Sequence, residues 1–236
     1  MCLLFLLPLA MTSCGDDSDE PSNKTDFIGA WAMTKWEDYD GRAKKEFSDD
    51  NFMADIYLDD KTRLRVGCNS GKVDYRWLEY WEYDKDEKNI SLVDPSYPAS
   101  DRAAYSNYFI VELTKDKMIT KRYWNGSEGA YTTFYFNKTD INKHPGLFEA
   151  LLIDTKWSDG KHSISFGGGR EKGFSLTNYC GNNKYNCAFR GNGGELCDIT
   201  LQLLDPYSPA KTKLVVTGSS SDDVPNGNYK LTERHY

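Results

Sequence analysis

Tyr108-Phe109-Ile110-Val111-Glu112-Leu113-Thr114-Lys115-Asp116-Lys117-Met118-Ile119-Thr120-Lys121-Arg122-Tyr123-Trp124-Asn125-Gly126-Ser127-Glu128-Gly129-Ala130-Tyr131-Thr132-Thr133-Phe134-Tyr135-Phe136-Asn137 is the stretch that decides the fold. Three runs, Tyr108–Thr114, Met118–Trp124 and Tyr131–Asn137, are rich in β-branched and aromatic residues. Turn residues separate them at Lys115-Asp116 and Asn125-Gly126. Asn-Gly between alternating runs is a strong hairpin signal, because both residues accept positive φ. Strands joined by tight turns make an antiparallel meander, the unit of an up-and-down barrel or a sandwich.

The same pattern continues upstream. Phe27–Glu37 reads as an aromatic-rich opening strand ending at an Asp40-Gly41 turn. Phe52–Leu58 and Thr62–Val66 read as a hairpin around Asp59-Asp60-Lys61, and Asn89–Val93 as a further strand. The longest candidate is Val73–Tyr83. Period-two alternation puts Tyr75, Trp77, Glu79, Trp81 and Tyr83 on one face. Asp94–Ala104 has no periodicity and reads as a loop.

Downstream, His144–Ile153 is the one helix-like stretch, with Pro145 near the start and Leu147, Phe148, Leu151 and Leu152 on one face. Thr155-Lys156-Trp157 then echoes Thr34-Lys35-Trp36, and short strands follow: His162–Phe166, Gly173–Thr177, Tyr185–Arg190, Leu196–Leu204, Lys213–Thr217 and Asn228–Arg234. The expected organisation is a β domain over 27–142, a short helix and linker over 143–154, and a second small β domain over 155–236. The glycine run Gly167–Gly173 does not fit a phosphate-binding loop, since no helix pattern follows, and reads as a hairpin loop.

The N-terminus supplies an address. Leu3–Met11 is apolar but too short to span a membrane, and it ends in Thr12-Ser13-Cys14. That ending resembles the lipobox of bacterial lipoproteins, a resemblance that implies a signal peptide over 1–13 and a lipid on Cys14. The acidic tract Gly15–Glu20 is similar to the export signal of surface lipoproteins of the Bacteroidetes, and 14–26 reads as a solvated tether. The implied location is the outer membrane, with the protein held by its lipid and displayed at the surface. The lipobox, the opening Gly29–Trp36 strand and the meander together resemble lipocalin-like lipoproteins of the Bacteroidetes. The resemblance implies small antiparallel barrels and no catalytic residues.

Composition narrows the partners. The net charge is −7, which argues against nucleic acid. Sixteen Tyr and six Trp favour strands and give binding faces their material. The face Tyr75, Trp77, Glu79, Trp81, Tyr83 is the binding candidate. Pointing inward it lines a cavity for an apolar or planar ligand; pointing outward it is a platform for sugar rings; otherwise it is ordinary core. Glu79 in its middle calls for a partner or for solvent. An exported chain admits disulfides, with Cys187–Cys197 or Cys180–Cys187 as the candidate bridges. No spacing suits a metal, no cofactor is implied, and no histidine sits with a nucleophile as a catalytic pair. The expected role is binding of a small hydrophobic ligand, a glycan or an envelope protein. The alternatives are an accessory subunit of an envelope complex with no small ligand, and a hydrolase.

Overall fold

The computed structural model describes residues 27–93, 106–124, 129–141, 144–167, 173–190 and 196–235. The leader, Cys14, the tether, the expected loop after Val93, the Asn125-Gly126 turn and most of the glycine run lie outside the described residues. Among the described residues the first half holds nine strands: β1 (Gly29–Asp38), β2 (Lys44–Glu46), β3 (Asn51–Tyr57), β4 (Thr62–Asn69), β5 (Lys72–Asp84), β6 (Asn89–Val93), β7 (Ser106–Leu113), β8 (Lys117–Tyr123) and β9 (Tyr131–Thr139). Each of β3 to β8 pairs antiparallel with its successor, and β1 pairs with both β3 and β9. Eight strands therefore close on themselves, and the barrel is formed rather than the sandwich. The short β2 lies outside the ring, paired with the end of β1.

Alternation gives each barrel strand an inner and an outer face, and on β3 and β4 the assignment runs against expectation. Phe52, Ala54, Ile56, Leu64, Val66 and Cys68, the apolar set, point outward into a core shared with the second half. Asp55, Tyr57, Arg63 and Arg65, the polar set, point into the barrel. The barrel's own core is aromatic and includes Phe27, Trp31, Met33, Tyr57, Trp81 and Phe136.

Helix α1 (Pro145–Leu152) leads into strands β10 (Thr155–Ser158), β11 (Ser163–Phe166), β12 (Phe174–Gly181), β13 (Lys184–Arg190), β14 (Leu196–Leu204), β15 (Lys213–Thr217) and β16 (Gly227–Arg234). Their order is β11-β10-β16-β15-β14-β13-β12, so β10 pairs with both β11 and β16, as β1 pairs with β3 and β9. Among the described residues no pairing joins β11 to β12, so this sheet does not close. The hairpin expected across the glycine run is therefore not formed, because β11 and β12 are opposite edges of the sheet. Phe166 and Phe174 approach across that opening, ring centroids 5.0 Å apart.

Helix α1 packs against β4, β5 and β12 and fills the space between the two sheets. Its close approach depends on Gly146: a Cβ there would stand 2.5 Å from Cys68 Sγ. Polar ties cross the same boundary. Arg76 Nη1 meets Asp154 Oδ2 at 3.4 Å, Tyr185 donates to the Ile141 carbonyl at 3.2 Å, and Ser208 bonds the Asp59 carboxylate. Buried residues of both halves form one continuous cluster, from Phe52 and Leu64 through Phe148 to Leu201 and Tyr229.

Candidate functional site

The barrel interior is built in three tiers. The lowest is sealed by Phe27, Trp31, Tyr57, Trp81 and Tyr83. Trp31 and Trp81 have no exposed surface, and each indole N–H is satisfied by a backbone carbonyl, of Phe27 at 2.8 Å and of Thr62 at 3.1 Å. The Tyr57 and Trp81 rings meet edge to face at 5.3 Å, and Tyr83 lies 4.7 Å from Phe27. Lys138 closes the bottom from β9, its ammonium 4.3 Å from the Trp31 ring and donating to the Ile28 carbonyl at 2.7 Å.

The middle tier is ionic. Arg63, fully buried, bonds the Asp55 carboxylate through one guanidinium nitrogen and the Glu79 carboxylate through another. Arg65 forms a fork on Asp55, at 3.0 Å through Nε and 3.2 Å through Nη2, and donates to the Tyr108 hydroxyl at 3.3 Å. Both guanidinium carbons stand over the Tyr108 ring, at 5.6 and 5.7 Å. β-Pairing explains the assembly: Asp55 is opposite Arg65, and Arg63 is opposite Glu79. Burial alone would raise the Asp55 pKa, but Arg63 and Arg65 outweigh it and hold the carboxyl below its usual range. Burial likewise opposes ionisation of Tyr108, and Arg65 and Arg63 overcome it, lowering the phenol's pKa. Two cations and two carboxylates balance, and they form a charged partition across the barrel.

Above the partition the inward side chains are no longer fully covered. Trp36, Met53, Ile110 and Phe134 point into the barrel and are only partly buried. On β5 the change is steep: Trp81 is 0% exposed, Glu79 7% and Trp77 61%. Tyr75, half-buried, closes that side by lying across Gly67, where a Cβ would fall 2.1 Å from its ring. A bulkier residue at 67 would push Tyr75 out of the wall. At the rim Asp38 accepts from Thr132 at 2.9 Å, while Arg122 stands 5.8 Å from the Trp124 ring. Two wall hydroxyls, Ser106 on β7 and Thr120 on β8, are buried with no hydrogen-bond partner among the described residues.

The structure brings the five sequence-named residues to the inner wall but divides them by depth. Trp81 and Tyr83 belong to the floor, Glu79 to the partition, and Trp77 and Tyr75 to the open end. Asp55, Arg63, Arg65, Tyr108, Trp36 and Phe134 were not singled out from sequence. Of these, Arg63 and Arg65 carried a signal, since alternating charges in a strand of buried length are unusual. Cys187 and Cys197, one of the candidate bridges, do not face each other across their strands. Arg190 pairs with Leu196, which sets Cys187 opposite Ile199 instead of Cys197. Cys68, Cys180, Cys187 and Cys197 are free thiols, and burial pushes the Cys187 thiol up to about 12.

A separate pocket of about 260 Å³ lies on the barrel's outside, lined in part by Thr34, Phe47, Asn137 and the stacked pair Phe52–His144. Among the described residues no group of three His, Cys, Asp or Glu side chains could hold a metal ion. The ionic tier is poorly suited to acid–base chemistry. Asp55 is held ionised by two guanidiniums, the reverse of what a general acid requires.

No family model and no curated protein matches the chain. Among solved structures, a lipocalin-like protein from Bacteroides uniformis is 12% identical, with 48% of this chain and 99% of that one covered and a TM-score of 0.33. A deswapped triple mutant of bovine odorant binding protein is 13% identical, with 60% and 93% covered and a TM-score of 0.27. Neither likeness carries a residue or a ligand across, so the barrel assignment rests on the strand pairing itself.

Proposed function

We propose that this chain is an exported binding protein, tethered to the outer membrane by a lipid on Cys14, that takes a small ligand into the open half of its barrel. The apolar run Leu3–Met11 ending at Thr12-Ser13-Cys14 supports the tether. No described helix is long and apolar enough to cross a membrane. The observation that carries the binding role is the gradient along the inner wall, from a sealed aromatic floor through partly buried Trp36, Met53 and Phe134 to exposed Trp77. Inward aromatic side chains that keep their exposure line space rather than fill it, and concave, mostly apolar surface with a few fixed polar groups is what small ligands occupy.

The test is a calorimetric panel of hydrophobic compounds and glycans against the soluble chain and a Trp77→Ala, Phe134→Ala variant. A ligand should bind the parent and lose at least tenfold in affinity with the variant, whose melting temperature stays near the parent's because both positions are partly exposed. Binding that survives both changes would remove the barrel from the account. Trp81 is unsuited to this role: it is floor, and truncating such a buried ring costs about 3–5 kcal/mol of stability.

A further inference from the structure

We propose that the notch on the outside of the barrel is a second binding site, one that takes a single uncharged ring with adjacent hydroxyl groups, as in a hexose. It does not depend on the barrel interior holding a ligand. The notch has its cause in the sheet. β1 pairs with β3 over residues 29–33 and with β2 over residues 35–37, and Thr34 between them is an extra residue against β9. Where the partner changes, residues 47–50 leave the sheet as a turn. Phe47 N–H donates to the Thr34 carbonyl at 3.0 Å, and Ser48 and Asn51 exchange backbone bonds at 3.1 and 3.2 Å. Beside this turn the outer wall is low, because outward-facing Ala32 is opposite Ala54 on β3 and Asn137 on β9. The two methyl groups leave open the space that larger side chains would fill, about 260 Å³.

That volume lies just under the ~300–1,000 Å³ of sites for drug-sized ligands, so the notch has room for one ring rather than a chain. Its polar groups are within reach of a guest. Asp49 and Asn137 line it and are exposed, and neither side chain makes a hydrogen bond or ion pair among the described residues. A carboxylate only accepts hydrogen bonds, while a carboxamide both donates and accepts. Neighbouring hydroxyls suit that mixture, donating to the carboxylate and accepting from the amide. Apolar wall comes from Phe47 and from the Phe52–His144 stack, whose rings are 4.4 Å apart. The C–H face of a sugar ring can lie against such a surface.

Charged rings fit worse. An anion would meet the Asp49 carboxylate, and the ammonium of Lys138, the lysine in the wall, is turned away onto the Trp31 ring and the Ile28 carbonyl. A cation would compete with Lys45, whose ammonium already stands 4.9 Å from the Phe47 ring.

The experiment titrates the methyl glycosides of glucose, galactose and mannose, with benzylamine and sodium benzoate as charged rings, into the ¹⁵N-labelled soluble chain. The same titrations are made on an Asp49→Ala, Asn137→Ala variant, whose changed positions are exposed, and on Ala32→Leu, which fills the notch and keeps both polar groups. At least one glycoside should move the Asn137 side-chain amide signals and bind at least tenfold more tightly than either charged ring. Its affinity should fall at least tenfold in the Asp49→Ala, Asn137→Ala variant and be lost in Ala32→Leu. Binding of benzylamine or benzoate as tight as the best glycoside would overturn the ligand class. No glycoside binding, or an affinity unchanged in the Asp49→Ala, Asn137→Ala variant, would overturn the site. A glycoside weakened instead by the Trp77→Ala, Phe134→Ala variant would sit in the barrel, so that this inference fails while the barrel reading stands.

Discussion

Arg63 holds the barrel interior together. It is buried, touches carboxylates from two other strands, and stacks between Tyr57 and Tyr108. A buried ion pair of this sort adds little net stability over an apolar equivalent, but removing one partner strands the rest. Arg63→Met should therefore lower the unfolding free energy by about 3–5 kcal/mol, read from urea midpoints; a loss below 1 kcal/mol would mean the tier is not assembled as described. The pH dependence follows from Asp55. Its folded pKa is depressed, so its contribution is in full force above the unfolded carboxylate value near ~3.9 and fades as pH falls through the lower folded value. The parent should lose stability steeply below about pH 4, and Asp55→Asn should flatten that acid limb. Of this tier only fragments were legible in sequence: the need of Glu79 for a partner, and the alternating charges of Arg63 and Arg65. In strands such as Asn51–Tyr57 and Thr62–Asn69, charges alternating with Ile56, Leu64 and Val66 read as a solvated face opposite a core face. Here the apolar face is claimed by the second half of the chain, and the charges point inward.

The strands themselves were largely legible, because alternation and turn chemistry are local. β6, β14 and β15 fall where the pattern places them, and β5 differs by one residue at each end. The short β2, Lys-Lys-Glu and fully exposed, carries no pattern and exists only through its pairing with β1. The missing β11–β12 hairpin was equally hidden, since pairing across a glycine loop depends on where the far ends of the sheet lie. The contact of α1 on β4 gives a prediction at this scale. Helix propensity favours alanine over glycine by up to ~1 kcal/mol, but a Cβ at residue 146 would meet Cys68 Sγ at 2.5 Å. The clash decides the sign: Gly146→Ala should destabilise by about 1–3 kcal/mol, and adding Cys68→Ala should recover most of it. A stabilised single variant, measured by thermal melting, would show that the helix does not sit against β4 as closely as this.

At the scale of the whole molecule, the second half gives the barrel an outer core and leaves its interior for other uses. One buried cluster runs from the outer face of β3 and β4 through α1 into β10–β16, while a separate aromatic cluster fills the lower barrel. With its outer wall braced in this way, the barrel can leave its upper tier open. The six tryptophans report on this arrangement, because they stand at different places in it: Trp31 and Trp81 in the floor, Trp36 and Trp77 at the open end, Trp124 at the rim, Trp157 buried in the second sheet. The most direct measurement is the set of indole N–H signals in a ¹⁵N-labelled chain titrated with the tightest-binding compound of the calorimetric panel. Binding in the open half of the barrel predicts that the Trp36 and Trp77 signals move while those of Trp31, Trp81 and Trp157 stay in place. Movement of the floor or second-sheet signals with Trp36 and Trp77 unmoved would contradict it.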